Sequence, residues 1–423
     1  MKIYNLFPLL AGPFSDWQPH LERAAAMGFD WVFVNPIQQP GGSGSLYSIA
    51  DYFQINRALL KPGSRKRPET QVKEMVKQAD RLGMRMMIDL VINHCAVDSP
   101  LIREHPEWFR REGGRVCSPF CVEEDGSRTI WHDLAQLDHQ RSSDAEGLMG
   151  YCSEVVEYMV ELGFTGFRCD AAYQIPRDFW HRLIARIRRK HPQVVFTAET
   201  LGCSPRETRD TASAGFDYVF NSSKWWDFSS PWLLEQYELT RQVAPSIGFP
   251  ESHDTDRLFS ESGNNVDALK QRYLFAALFS AGVMMPIGYE YGFRNRLNVI
   301  ATRPEHWEEP AVDLTDFIAR VNRIKGDHPV FQEESPIQRL NHPDADLLFI
   351  GKTSTRGNGE ALLVLNKDPW NRHHFHSEDL YRHVQAPPPL RDVSPEWPLD
   401  YLPSPFDYEL TPGMGRVMVT AAN

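Results

Sequence analysis

Six cysteines in 423 residues, at 95, 117, 121, 152, 169 and 203, follow no repeating frame. They are too few and too irregular for a disulfide scaffold, so reduced thiols and a cytoplasmic setting are expected. Long apolar runs are also lacking. No stretch reaches the roughly 18–20 residues of a membrane-spanning helix, and no membrane partner is expected. Met1-Lys2-Ile3-Tyr4 passes directly into a strand-like run, without the apolar segment of a secretory signal. Basic excess is missing: 45 Lys and Arg face 56 Asp and Glu, a formal charge of −11. No basic excess is available to neutralise phosphates, which disfavours nucleic acid as a main partner. Internal repeats and low-complexity tails are absent.

Aromatic residues are present at 12%, with 11 Trp. They serve the core and, on a sugar-binding protein, flat platforms. Short apolar runs recur at Ile3–Pro8, Trp31–Pro36, Met84–Val91, Phe164–Asp170, Val194–Glu199, Phe216–Asn221, Ile247–Glu251 and Val283–Gly288. Helix-period segments lie between them, including Glu69–Leu82, Ala145–Leu162, Arg177–Lys190 and Val266–Ala281. Eight such units predict an α/β fold, a (β/α)8 barrel over residues 1–334. A stretch at 95–142, rich in charge, Pro, Gly and His, interrupts the third unit and reads as an inserted loop or subdomain. From 335 to 423 the pattern turns to strands such as Leu347–Ile350, Ala361–Asn366 and Arg416–Val419, interrupted by the Pro-rich Ala386–Leu390. This predicts a C-terminal antiparallel β domain, a small sandwich.

Acidic residues close three of the predicted barrel strands. The fourth ends Gly166-Phe167-Arg168-Cys169-Asp170, the fifth Phe196-Thr197-Ala198-Glu199, and the seventh runs on to His253-Asp254. A barrel keeps its chemistry at the C-terminal strand ends. Two carboxyl groups across a glycosidic bond suffice to break it, one stabilising the anomeric carbon and one protonating the leaving oxygen. Residues two apart on a strand face the same way, so Arg168 can hold the Asp170 carboxylate.

These segments together resemble the signature regions of the α-amylase family. Asp89-Leu90-Val91-Ile92-Asn93-His94 is similar to the first region, Gly166–Asp170 to the second, Glu199 to the third and His253-Asp254 to the fourth. Leu46–Tyr52 resembles the substrate loop after the second strand. The resemblance implies a retaining enzyme on α-glucosidic oligosaccharides, with Asp170 as nucleophile, Glu199 as general acid/base and Asp254 as the third carboxylate. It implies substrate contacts at Tyr47, Asp51, His94, Arg168 and His253. Asp89 reads as an internal partner of Arg168, and Glu290 as a structural residue at the end of the eighth strand. Of Trp225 and Trp226, adjacent and pointing apart, at most one can form a sugar platform.

Asn93 matches a position that helps bind calcium in many α-amylases, but no further ligands are identifiable. Cys117 and Cys121, with Cys95 and His132 or His139, make an isolated Cys-x3-Cys. No metal or cofactor is assigned. His105–Phe109, Asp144–Leu148 and Gly288–Glu290 also resemble the bacterial maltosyltransferases that extend α-1,4-glucan from maltose 1-phosphate. That likeness covers the barrel, not those enzymes' large N-terminal domains. Ala171 stands where they have Asn, Asn93-His94 follows the hydrolase form, and Tyr173-Gln174 replaces the usual amylase Lys-His. Three functions stay open: an α-glucoside hydrolase or transglycosylase, a maltosyltransferase, and a non-catalytic sugar-binding protein. The oligomeric state is not legible.

Overall fold

The protein is described by a computed structural model that covers residues 1–122, 127–357, 359–385 and 389–420. Eight parallel strands close into a barrel in chain order. They are β1 (Lys2–Leu6), β2 (Trp31–Val34), β3 (Arg85–Leu90), β4 (Gly166–Cys169), β5 (Val195–Ala198), β6 (Tyr218–Phe220), β7 (Ser246–Gly248) and β8 (Gly282–Pro286). Each is followed by a helix: α1 (Gln18–Ala26), α2 (Pro68–Arg81), α3 (Ala145–Leu162), α4 (Arg177–Lys190), α5 (Pro205–Ala212), α6 (Trp232–Thr240), α7 (Val266–Phe279) and α8 (Thr315–Asp327). The apolar runs of the sequence fall on these strands. The seventh strand closes three residues before its apolar run does, because Phe249–Glu251 already lead into the following loop.

Alternation along the strands sorts side chains into two layers. Met86, Ile88 and Leu90 of β3 face outward with the main core, as do Phe167 and Cys169 of β4. Inside the barrel, Ile3, Trp31, Phe33, Met87, Phe220, Ile247 and Met284 pack as a separate apolar plug. One pleat further toward the C-terminal ends, the inward positions turn polar: Asn5, Asn35, Asp89, Arg168 and Thr197 are all buried. The barrel therefore has a dry floor and a charged upper layer, which is where a site can stand. The turn into β4 is set by Gly163 at the end of α3. Its φ of 109° lets its N–H reach the Met159 and Val160 carbonyls.

The segment between β3 and α3 forms three short antiparallel pairs: His94–Ala96 with Leu134–Gln136, Arg111–Glu112 with Arg115–Val116, and Phe120–Val122 with Arg128–Ile130. Beyond α8 come β9 (Ile337–Arg339), β10 (Leu347–Thr353), β11 (Glu360–Asn366), β12 (His373–Ser377), β13 (Leu390–Asp392), β14 (Phe406–Leu410) and β15 (Gly415–Thr420). They form an antiparallel sheet in the order β9-β10-β11-β15-β13 and a separate β12-β14 pair. One face of the sheet (Leu348, Ile350, Leu363, Leu365, Val417) joins the barrel core. The other (Phe349, Leu362, Val364, Met418) packs on Phe375 and Phe406 of the pair. Most of the Pro-rich run at 386–390 lies outside the described residues.

Two buried lysines fasten these parts. Lys325 of α8 donates to the Ala277, Ser280 and Phe331 carbonyls at 2.7, 2.6 and 2.6 Å. Lys352 of β10 donates to those of Leu278 and Phe279 at 3.1 and 2.8 Å. Both ammonium groups sit at the C-terminal end of α7, where free carbonyls and the helix dipole favour a cation. Burial pushes the Lys352 pKa down to about 8, against the pull of Glu334 and Glu333. Lys325→Met leaves buried carbonyls without a charged donor. It is expected to lower unfolding stability by about 3 kcal/mol, measured by urea denaturation at pH 7.

Candidate active site

The polar layer is organised by register. Arg168 of β4 lies beside Asp89 of β3 in the parallel pairing, so the two side chains enter the barrel together. Arg168 Nη1 donates to Asp89 Oδ1 and Oδ2, both at 3.0 Å, and to Asp170 Oδ1 at 2.7 Å. Its Nη2 lies 4.0 Å from Glu199 Oε2. A guanidinium only 5% exposed thus faces three carboxyl groups from three neighbouring strands. The expectations for Arg168 as the holder of Asp170, and for Asp89 as its internal partner, match this geometry.

One cation cannot keep three crowded acids equally ionised. Asp89 is raised to about 6, chiefly by burial and further by Asp170, with Arg168 and the Tyr47 hydroxyl opposing. Glu199 is raised to about 7, again by burial first and by Asp170, against Arg168 and two backbone N–H donors. Those donors are Ala171 at 2.8 Å and Leu201 at 2.6 Å. Ala171 reaches Glu199 because the turn after β4 takes a φ of 41°, a left-handed conformation uncommon for a residue with a Cβ.

Tyr47 ties the β2 loop to the same layer. Its hydroxyl donates to Asp89 Oδ2 at 2.6 Å, meets His253 Nε2 at 2.6 Å and accepts from Asn35 at 2.9 Å. The Tyr47 and His253 rings stack with centroids 5.7 Å apart. His253 Nε2 is also 3.1 Å from Asp254 Oδ2. Asp254 is held at about 2: crowding at the mouth pushes it up, but His253, Arg168 and Arg296 outweigh this. Its side chain remains 61% exposed, and Arg296 donates to its backbone carbonyl. His94 donates from Nε2 to the Tyr47 carbonyl at 3.1 Å, while its buried Nδ1 has no partner among the described residues. Burial lowers the His94 pKa, Asp170 opposing, so Nδ1 is an acceptor open to a donor.

These groups border a cavity of about 620 Å³. Its wall includes Tyr47, His94, Arg168, Asp170, Glu199 and Asp254. Two residues expected at the substrate are not on this wall. His253 lies behind it, 2% exposed and close to the Phe7, Phe33 and Tyr47 rings. Asp51 lies on the strand Ile49–Ile55, and its carboxylate accepts from the Phe53 N–H and the Gln54 side chain. Trp225 is 52% exposed on the wall, whereas Trp226 is fully buried and donates to the Ser230 carbonyl at 2.7 Å, so one of the adjacent pair is free to stack. Glu290 is fully buried, accepting from Tyr4 at 2.7 Å and Arg23 at 2.8 Å.

Three residues went unread in the sequence. Trp131 and Asp133 reach the wall from the inserted segment, and Arg296 reaches Asp254 from the loop after β8. The Trp-x-Asp in an insertion at a catalytic face was a usable signal; Arg296 sits in no motif. Asn93 Oδ1 is buried and unpartnered, but among the described residues no three His, Cys, Asp or Glu ligands gather there or at Cys117. The Cys121 side chain lies outside the described residues. One such group, Asp344, Asp346 and His373, is in the C-terminal part, where His373 is 2.8 Å from Asp344.

The barrel with its C-terminal antiparallel sheet is similar in fold to solved α-amylases. The fold superposes on an α-amylase from Lactobacillus plantarum with a TM-score of 0.77, at 19% identity over 99% of this chain and 98% of that one. With an α-amylase from H. orenii the TM-score is 0.79, at 14% identity over 99% of both. By sequence the chain is a homologue of the α-1,4-glucan:maltose-1-phosphate maltosyltransferases. It is 24% identical to that of Burkholderia pseudomallei over 378 residues, covering 86% of this chain and 32% of the relative. It is 26% identical to that of Pseudomonas aeruginosa over 427 residues, covering 89% and 60%. The chain thus spans less than two thirds of the length of these relatives. The family described as glycogen debranching enzyme, glucanotransferase domain, matches residues 1–109.

Arg168→Leu removes the cation and leaves Asp89 and Asp170 buried without it. The expected cost is about 3–5 kcal/mol at pH 7. Protonating the orphaned acids removes the uncompensated charge, so the deficit relative to the unsubstituted protein should shrink between pH 7 and pH 5. Thermal denaturation of both proteins at the two pH values measures it.

Proposed function

We propose that the protein is a retaining α-glycoside hydrolase or transglycosylase acting on α-glucosidic oligosaccharides. The observation that carries this reading is the pair of carboxyl groups at Arg168: Asp170 ion-paired at 2.7 Å, and Glu199 raised to about 7. Neutral and charged carboxyls side by side are what bond cleavage with retention requires. An Asp170 oxygen attacks the anomeric carbon as the C–O bond to the leaving group breaks, and Glu199 gives its proton to the departing oxygen. Glu199 then takes a proton from water or a sugar hydroxyl, whose oxygen attacks the same carbon and frees Asp170. Asp254 accepts hydrogen bonds from sugar hydroxyls, as does His94 through Nδ1. Tyr47 offers its ring to the substrate, and His253 and Arg168 hold Tyr47, Asp254 and Asp170 in place. The reaction needs no cofactor, because the chain's own carboxyls fill both roles. The same reading takes residues 1–334 as the catalytic unit and 335–423 as a domain that braces it. The free thiols at Cys95, Cys117, Cys152, Cys169 and Cys203 support a cytoplasmic setting. No helix among the described residues is long and apolar enough to cross a membrane.

The relatives support a second reading, transfer from maltose 1-phosphate. The cavity wall weighs against it. Asp133, Asp170, Glu199 and Asp254 line it, with Arg168 as the one Lys or Arg among the lining residues. A phosphate dianion there would lack a free partner, and unpaired charge is costly.

Asp170→Ala and Glu199→Gln should each cut kcat on maltooligosaccharides by at least about a thousandfold, with azide rescuing the former as an external nucleophile. Full activity in either removes the assignment. Because Glu199 must be protonated to act, activity should fall as pH rises through about 7. Incubation with maltose 1-phosphate and a maltooligosaccharide acceptor should release little phosphate. Fast release with growth by two glucose units makes the protein a maltosyltransferase.

A further inference from the structure

A second cavity, of about 360 Å³, shares no lining residue with the reaction mouth. Ser15 reaches it from the loop between β1 and α1, and Lys61, Ser64 and Lys66 from the turn that leads into α2. Glu74 and Gln78 of α2 complete its polar wall. The turn is basic in an acidic chain. Residues 57–67 hold Arg57, Lys61, Arg65, Lys66 and Arg67 and no acidic residue, against a formal charge of −11 overall. Two features separate it from a solvated run of charge. Its backbone is pinned: the Gln71 side chain of α2 accepts from the Lys61 N–H at 2.9 Å and donates to the Lys66 carbonyl at 3.3 Å. Its cavity-lining groups are also unequally satisfied. Lys66 donates to both Glu74 oxygens at 2.7 Å. Among the described residues, the Lys61 ammonium has no ion-pair or hydrogen-bond partner, and the Gln78 amide makes no hydrogen bond, with its Oε1 enclosed. A held turn with a spare cation and a spare amide is pre-organised for a ligand.

The chemistry of that ligand follows from the groups. Lys66 and Glu74 cancel, so the Lys61 ammonium is the net charge of the wall. A phosphate suits it, as a compact anion rich in acceptor oxygens. Arg65 and Arg67, which flank Lys66 in the chain, add attraction at longer range. A bare anion would leave the rest of the wall unused. Ser15 gives its proton to Asp16 at 2.9 Å and keeps its lone pairs, whereas Ser64 accepts from the Lys66 N–H at 3.1 Å and keeps its proton. With the Gln78 amide they offer donors and acceptors that match hydroxyl groups. The ring of Phe14 is 2% exposed, so the floor has no open face on which a nucleobase could stack. The volume is that of a small-molecule site. A polyhydroxylated ring that carries a phosphate uses both the spare cation and the spare amide.

We infer that this cavity is a second ligand site, apart from the reaction mouth, for a small phosphorylated sugar. Lys61 binds its phosphate and Gln78 a hydroxyl of its ring. Calorimetric titration of the full-length protein with glucose 6-phosphate, inorganic phosphate and glucose tests it. Glucose 6-phosphate should bind at least about tenfold more tightly than either of the other two. Lys61→Gln should weaken it about tenfold, and Lys61→Arg, which keeps the charge, by less than about threefold. Gln78→Leu should weaken it several-fold and leave the affinity for inorganic phosphate unchanged. Equal affinity for inorganic phosphate and glucose 6-phosphate reduces the turn to an anion patch and overturns the site. Absence of binding overturns it too. So does binding that neither Lys61→Gln nor Gln78→Leu weakens, which puts the sugar phosphate elsewhere on the protein.

Discussion

Everything at the mouth of this barrel depends on one buried guanidinium. Among the described residues, Arg168 is the one Lys or Arg ion-paired with Asp89, Asp170 and Glu199, and strand register brings it beside Asp89. Its Nη1 is shared between Asp89 and Asp170, which leaves Glu199 at 4.0 Å with the weakest claim on it. Burial, opposed by Arg168, raises Glu199 to about 7. Asp89, deeper and fully enclosed, buffers the arrangement by taking a raised pKa of about 6 and a Tyr47 hydrogen bond.

The barrel was legible because its signal is redundant. Eight apolar runs separated by helix-period segments leave few other folds open, and the helix ranges 145–162 and 177–190 coincide with α3 and α4. The acids at the ends of β4 and β5 were legible for the same reason, since strand ends fix where side chains emerge. Residues outside that grammar were harder. Asp51 and His253 carried the right identities in the right motifs, yet in the folded chain one ties its own strand and the other stacks behind Tyr47. Trp131, Asp133 and Arg296 come from loops, where a residue's direction depends on turns and long-range anchors that periodicity does not encode. The Asp133 carbonyl, for example, is fixed by Ser48, 85 positions away.

Ala171 illustrates how backbone geometry enters the chemistry. Ala171, left-handed directly after Asp170, donates its own N–H to Glu199 Oε2 at 2.8 Å. With Leu201, both Glu199 oxygens accept a backbone hydrogen bond, which favours the charged form, yet burial still raises the group to about 7. The resting state is thus balanced: enclosure pushes toward the acid and two amides pull toward the base. Such a group can give a proton and recover it near neutrality, as a two-step displacement demands. The strain at Ala171 is the cost of aiming that amide, and it falls where Asp170 leaves its strand, so one turn serves both carboxyls.

The relatives and the cavity pull in different directions, and the electrostatics explains how both can hold. On the proposed reading, the layer around Arg168 serves glycosyl transfer from either donor class. Donor choice is decided further out, on the wall. Asp133 adds a carboxylate there, Ala171 offers no amide side chain, and Arg296 is engaged with the Asp254 carbonyl and lies 3.6 Å from Asp256. Recruiting Arg296 to a phosphate would require it to leave two acceptors and approach a site already crowded with acids. A neutral sugar asks for no such rearrangement: its hydroxyls donate to the same carboxylates that would repel a phosphate. On the proposed reading, the negative character of the mouth disfavours a phosphate donor and suits a neutral sugar.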